Sequence, residues 1–103
     1  MIIIGSELIS YEPVFLAKFE PKSLSLKSNF ILVSDIKQAL IANANGVKFI
    51  VCDSFKFAKK LQKLADDYLF DSKIALIINS DEELQKAAKK RIDAVIYKSA
   101  IRG

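Results

Sequence analysis

From residue 29 onward the chain repeats one pattern: an apolar run, a short polar residue suited to capping, a stretch with helical spacing, and another apolar run. Phe30, Ile31, Leu32 and Val33 are followed by Ser34 and Asp35, both suited to a helix N-cap. Ile36, Ala39, Leu40 and Ala44 recur at helical spacing, and Gly46 stands where a helix-ending glycine would. Residues 47–52 are β-branched and aromatic, and Ser54 opens a second helix with an apolar stripe of Phe57, Ala58, Leu61, Leu64, Ala65 and Tyr68. Residues 74–78 form a third run, Ser80 with Glu83 makes a capping box, and Ala94–Tyr97 is the last strand. The segment from Ser34-Asp35 to Asp53-Ser54 aligns with that from Ser80-Asp81 to Lys98-Ser99 with one gap. Strands that are apolar throughout, joined by helices, predict a parallel sheet with right-handed crossovers.

The expected fold is therefore α/β: a three-layer or incomplete doubly wound parallel sheet of about five strands. It forms a single domain over residues 1–103, with a short first helix and no final helix. Ile2, Ile3 and Ile4 read as a central strand. Residues 8–19, which include Pro13, read as a short helix or an extended stretch, and residues 20–28 as a loop with a brief strand. The helices between the later strands would cover mostly one sheet face. The other face is expected to be under-covered, which predicts a homodimer or a protein partner seated there.

Residue usage removes whole classes of chemistry. The chain has no histidine, one cysteine and no tryptophan, so His-based nucleophilic sites, zinc centres and an internal disulfide are excluded or improbable. The lone Cys52 reads as a small buried apolar residue in a reducing compartment, so a cytoplasmic setting is expected. No apolar run approaches a membrane span, and the Met1 start has no positive leader. The net charge of +4 comes from fourteen lysines and two arginines against twelve acids. Lysine-rich helix faces such as Lys56, Lys59, Lys60 and Lys63 are ordinarily solvated, so nucleic acid is disfavoured as a partner. The three glycines stand apart at positions 5, 46 and 103, which argues against a phosphate-cradling loop. No cofactor, metal or catalytic residue is expected.

Ligands of open parallel sheets gather beyond the carboxyl ends of the strands. The residues there are Gly5, Ser6 and Glu7; Ser34 and Asp35; Asp53 and Ser54; Asn79 and Ser80; Lys98 and Ser99. Each has an alternative structural reading, with Asp53 and the serines as helix caps and Lys98 as an ion-pair partner.

The runs ending in Cys52-Asp53, in Asn79-Ser80 and in Tyr97-Lys98-Ser99-Ala100 resemble the response-regulator receiver domain, which has a flavodoxin-like fold. In that family an Asp ending the third strand accepts phosphate, and a Ser or Thr and a Lys after the next two strands contact the phosphoryl group. The resemblance thus implies that Asp53 is the acceptor and that Ser80 and Lys98 are its neighbours. Glu7 is all that remains of the acidic set near the first strand, because the metal-binding pair falls on Gly5 and Ser6. A degenerate receiver-like domain of this kind implies a non-catalytic protein–protein interaction or signalling module. The alternative is a small-ligand or phosphate-binding protein, or an enzyme, using Asp53 and Lys98. The candidate ligand or phosphoryl site is Glu7, Asp53, Ser80 and Lys98.

Overall fold

The computed structural model describes residues 1–26 and 28–102. Among these residues the elements run β1 Ile2–Ile4, β2 Val14–Phe15, β3 Ala17–Lys18, α1 Pro21–Ser25, β4 Phe30–Leu32, α2 Ile36–Ala44 and β5 Phe49–Cys52. Then come α3 Phe55–Asp67, β6 Lys73–Ile78, α4 Asp81–Lys89, β7 Ala94–Tyr97, a 3₁₀ turn at Lys98–Ala100, and β8 Ile101–Arg102. Six strands form one sheet in the order β1-β7-β6-β5-β4-β3, parallel throughout, and β2 pairs with β8 in a separate parallel ribbon. No helix among the described residues is long and apolar enough to cross a membrane.

The α/β class and the parallel sheet are as expected from the sequence, and a short first helix is present too, at Pro21–Ser25 rather than within residues 8–19. From β3 to β7 each strand lies beside the next one in the chain. A right-handed crossover that always steps in the same direction puts every connecting helix on the same face. The packing agrees. Ala39 and Ala42 of α2, Ala58, Leu61 and Ala65 of α3, and Ala87 of α4 bury against Ile31, Ile50, Ile74, Ile78 and Val95. The alanines let helix backbones approach the sheet closely, while the β-branched strand residues fill the pleat between them.

The opposite face is built from Phe49, Val51, Ala75, Ala94 and Ile96, and no helix among the described residues reaches it. It is nevertheless not bare. Residues 5–16 must run from the top of β1, at one edge, to the foot of β3, at the other, and they do so as a strap across this face. Val14 of the strap is 1 % exposed, and Ala100, Leu16 and Ile101 join the same cluster. The molecule thus has three layers (helices, sheet, and strap with ribbon), a layering compatible with a flavodoxin-like class.

Two expectations about the N-terminal third need correction, and one choice left open there is decided. Ile2–Ile4 is not central but an edge strand, paired among the described residues only with β7 through Ile2–Ala94, Ile3–Val95 and Ile4–Ile96. Of the two readings of residues 8–19, the extended one is what the structure shows: the strap runs through Leu16 and continues into β3, consistent with Pro13, which withholds an amide. A helix does form at Pro21–Ser25, where a loop was expected, with Pro21 at the first helical positions that tolerate it. Lys27, part of the expected loop, lies outside the described residues.

The repeated unit has a repeated chemistry at both helix ends. Asp35 accepts a hydrogen bond from Gln38 N at 2.8 Å, Ser54 Oγ from Phe57 N at 3.2 Å and Ser80 Oγ from Glu83 N at 3.3 Å. At the other ends Gly46, Leu69 and Arg91 adopt positive φ of 77°, 52° and 57°. The following amide in each case donates back to a buried alanine carbonyl: Val47 to Ala42, Phe70 to Ala65, Ile92 to Ala87. Buried and half-buried polar side chains then tie neighbouring units together. Ser72 N donates to Asn43 Oδ1 and Ser72 Oγ to the Val47 carbonyl, while Asp93 N donates to Gln62 Oε1 at 2.9 Å and Ile74 N to Asp93 Oδ2 at 3.0 Å.

Two substitutions test this account. Gly5 has φ +98°, and an added Cβ would meet Ala100 Cβ at 2.8 Å and Tyr97 Cβ at 3.0 Å. Gly5→Ala is expected to cost about 2–4 kcal/mol in urea unfolding, combining a left-handed backbone with overpacking. Leu69 holds the same backbone class while 85 % exposed, so Leu69→Gly is expected to gain about 0.5–1 kcal/mol in the same measurement.

Candidate functional site

Because every strand of the main sheet points the same way, the residues after β1, β4, β5, β6 and β7 share one edge of the molecule. There Asp53, Asn79 and Lys98 converge on a cavity of about 470 Å³ whose remaining wall is Leu16, Ile77 and Ile101. Asp53 follows the wholly buried run of β5, and its own side chain is exposed. Ser54, not Asp53, caps α3, so the carboxylate is left for the cavity. Asn79 precedes the cap of α4, and its backbone N–H is taken by the Glu83 carboxylate, which completes the capping box. Its side-chain amide makes no hydrogen bond among the described residues. Lys98 opens the 3₁₀ turn that swings the chain from β7 into β8.

Apolar contact comes from the third layer. Leu16 follows β2, Ile101 begins β8, and the register Val14–Ile101 and Phe15–Arg102 holds the two segments side by side over the sheet. Ile77 is the β6 residue that faces this layer, as period-two alternation requires. Asp53 and Lys98 are not bonded to each other. The one ion pair among the described residues is Lys63 Nζ–Asp67 Oδ2 at 3.3 Å, on the outer face of α3.

The four residues expected from the sequence are thus split. Asp53 and Lys98 come together. Ser80 is occupied as the cap of α4 and does not line the cavity, where its neighbour Asn79 stands instead. Glu7 is exposed in the turn after β1 and is not part of the cavity wall. Strand order explains this: β7 and β6 separate β1 from β5, so the strands lie three spacings apart, roughly 14 Å. No group of three His, Cys, Asp or Glu side chains suited to a metal ion occurs among the described residues. Leu16 and Ile101 had no signal in the sequence, because they become wall residues only through the strap-to-ribbon pairing. Ile77 was readable by counting alternate positions along β6.

On the helix side of Asp53 lies a space of about 60 Å³, bounded by Phe55, Ile78, Glu83 and Lys86, too small for more than water. Lys86 Nζ and Lys59 Nζ sit 4.8 and 5.3 Å from the Phe55 ring centre, and the Lys86 contact links α4 to α3. A larger hollow of about 720 Å³ lies on the strap side at the opposite ends of the strands, lined by Tyr11, Phe15, Phe30 and Phe49 among others. Phe30 and Phe49 stack there with ring centres 4.8 Å apart.

Two titrating groups flank the site. Burial pushes the Cys52 thiol from 9.0 up to about 12, opposed by a backbone hydrogen bond with Ser54 and reinforced by the Asp53 charge. Cys52 is therefore a protonated, unreactive core residue at neutral pH. The Tyr97 hydroxyl donates to Asp81 Oδ1 at 2.5 Å, and that bond chiefly holds the phenol up at about 12. In both cases the native state binds the proton more tightly than the unfolded chain. The stabilisation is complete below the ordinary values and is lost as pH rises through about 12. Urea unfolding from pH 8 to 12 is expected to show falling stability, with a shallower fall in Cys52→Ala. An equal slope in that variant would remove Cys52 as a contributor.

Scans against protein-family models, curated proteins and solved structures return no match for this chain.

Proposed function

We propose that the protein is a non-catalytic binding module that holds a small polar ligand at the strand-end cavity. The observation that carries this is the convergence of Asp53, Asn79 and Lys98, with unpaired charges and an apolar wall, at the edge where parallel sheets place their ligands. Binding is favoured over catalysis because Asp53 and Lys98 are not bonded to each other as a nucleophile–base pair, the chain has no histidine, and Cys52 is buried and protonated. Of the residues that carry the receiver resemblance, Asp53 and Lys98 line the cavity. With Glu7 remote and Ser80 engaged as a cap, the remaining residues suit holding a ligand better than accepting a phosphoryl group, which relies on a cation beside the acceptor. A cytoplasmic setting belongs to the same reading and rests on the lone reduced Cys52.

Acetyl phosphate or beryllofluoride with Mg²⁺ is expected to leave the mass and the amide spectrum unchanged. A stoichiometric adduct on Asp53 would instead support a working receiver.

A second reading, a protein-interaction module or homodimer, is favoured by a different observation. The outer side of the strap exposes Leu8 at 95 % and Phe15 at 70 %, with Ile9 and Tyr11 between them. On this reading sedimentation velocity over a hundredfold dilution shows dissociation of an assembly that Phe15→Ser weakens. A monomer throughout would speak against self-association.

A further inference from the structure

We infer that the strand-end cavity is built for a zwitterion, specifically a free α-amino acid with an aliphatic side chain. This rests on the cavity being a ligand site, and it adds the class of ligand. The first observation is charge. A carboxylate from the loop after β5 and an ammonium from the turn after β7 line one cavity of about 470 Å³ without pairing. An inorganic anion drawn to Lys98 would be repelled by Asp53, and a simple cation drawn to Asp53 would be repelled by Lys98. A ligand carrying both charges satisfies both residues, with its ammonium on Asp53 and its carboxylate on Lys98.

The second observation is Asn79, which lies between them in the sheet because β6 lies between β5 and β7. Its side-chain amide offers both an acceptor and two donors, so it can bond either end of a zwitterion. The third is the apolar wall. Leu16, Ile77 and Ile101 offer aliphatic surface with no aromatic ring and no further charge, which suits a branched aliphatic side chain. Leu16 and Ile101 belong to the strap and the ribbon strand that β2–β8 pairing holds together, so an occupied cavity also bridges these two segments.

Both charges are exposed and solvent-screened, so affinity is modest, with Kd on the order of 1 mM. The decisive measurement is a ¹⁵N-NMR titration of the whole chain with four probes: L-leucine, its decarboxylated amine, its deaminated acid (4-methylpentanoate), and inorganic phosphate. Leucine is expected to shift Asp53, Lys98 and the Asn79 side-chain amide and to bind at least about fivefold more tightly than the other three. Asp53→Asn is expected to narrow the gap between leucine and 4-methylpentanoate, and Lys98→Gln the gap between leucine and the amine. Both sites are exposed, so retained spectral dispersion verifies that each variant is folded. Equal or tighter binding of phosphate, 4-methylpentanoate or the amine by the unmutated protein would overturn the zwitterion while leaving the cavity a ligand site. No shift at any cavity resonance with any of the four probes would overturn both.

Discussion

The handedness of the crossover connections governs this molecule. Each step from β4 to β7 moves one strand further in the same direction, so the right-handed rule leaves a single face for α2, α3 and α4. The same rule sends the chain to the far edge with nothing left to cover the second face. That face carries β-branched and aromatic residues as apolar as those of the first, and it must be buried. The strap from β1 to β3 and the short β2–β8 ribbon bury it with Val14, Ala100 and the half-buried Leu16 and Ile101. The candidate site follows from this arrangement. Three successive strand ends present Asp53, Asn79 and Lys98, and the covering layer supplies the apolar wall.

Unidirectional winding requires each helix to start and stop at the right height, and the chain meets this with one device used repeatedly. A short polar cap sits immediately after the strand, and a left-handed residue ends the helix with a hydrogen bond back to a buried alanine carbonyl. Gln62 and Ser72 then lock the strand starts in place from below with buried hydrogen bonds. These are costly groups to leave unpaired, so they discriminate against register errors as well as adding stability. One consequence reaches the site. Because Ser54 and Ser80 are committed to capping, the residues before them, Asp53 and Asn79, keep their side chains free.

The sequence was informative where local rules act and silent where distant segments meet. The strands and helices from residue 29 onward were legible, since their periodicity, caps and terminators are short-range signals. Asp53 and Lys98 were legible as strand-end residues. The choice between Asn79 and Ser80 turned on which one caps α4, and the Ser80–Glu83 spacing contained the answer. Glu7 was misplaced because a three-residue apolar run says nothing about which strand it will pair with. Residues 8–16 have neither period, so their role as a covering strap emerges only from the sheet order. Leu69 and Arg91 as helix terminators were hidden too, since neither residue type favours positive φ.

The position of β1 is the point on which the strap, the covered face and the exclusion of Glu7 from the site all depend. Nuclear Overhauser effects measured on uniformly labelled protein address it directly. Contacts between Ile3 and Val95 and between Val14 and Ile101, with none between β1 and β5, are the expected result. Contacts from Ile3 or Ile4 to Ile50 or Val51 would place β1 inside the sheet beside β5 and contradict the account.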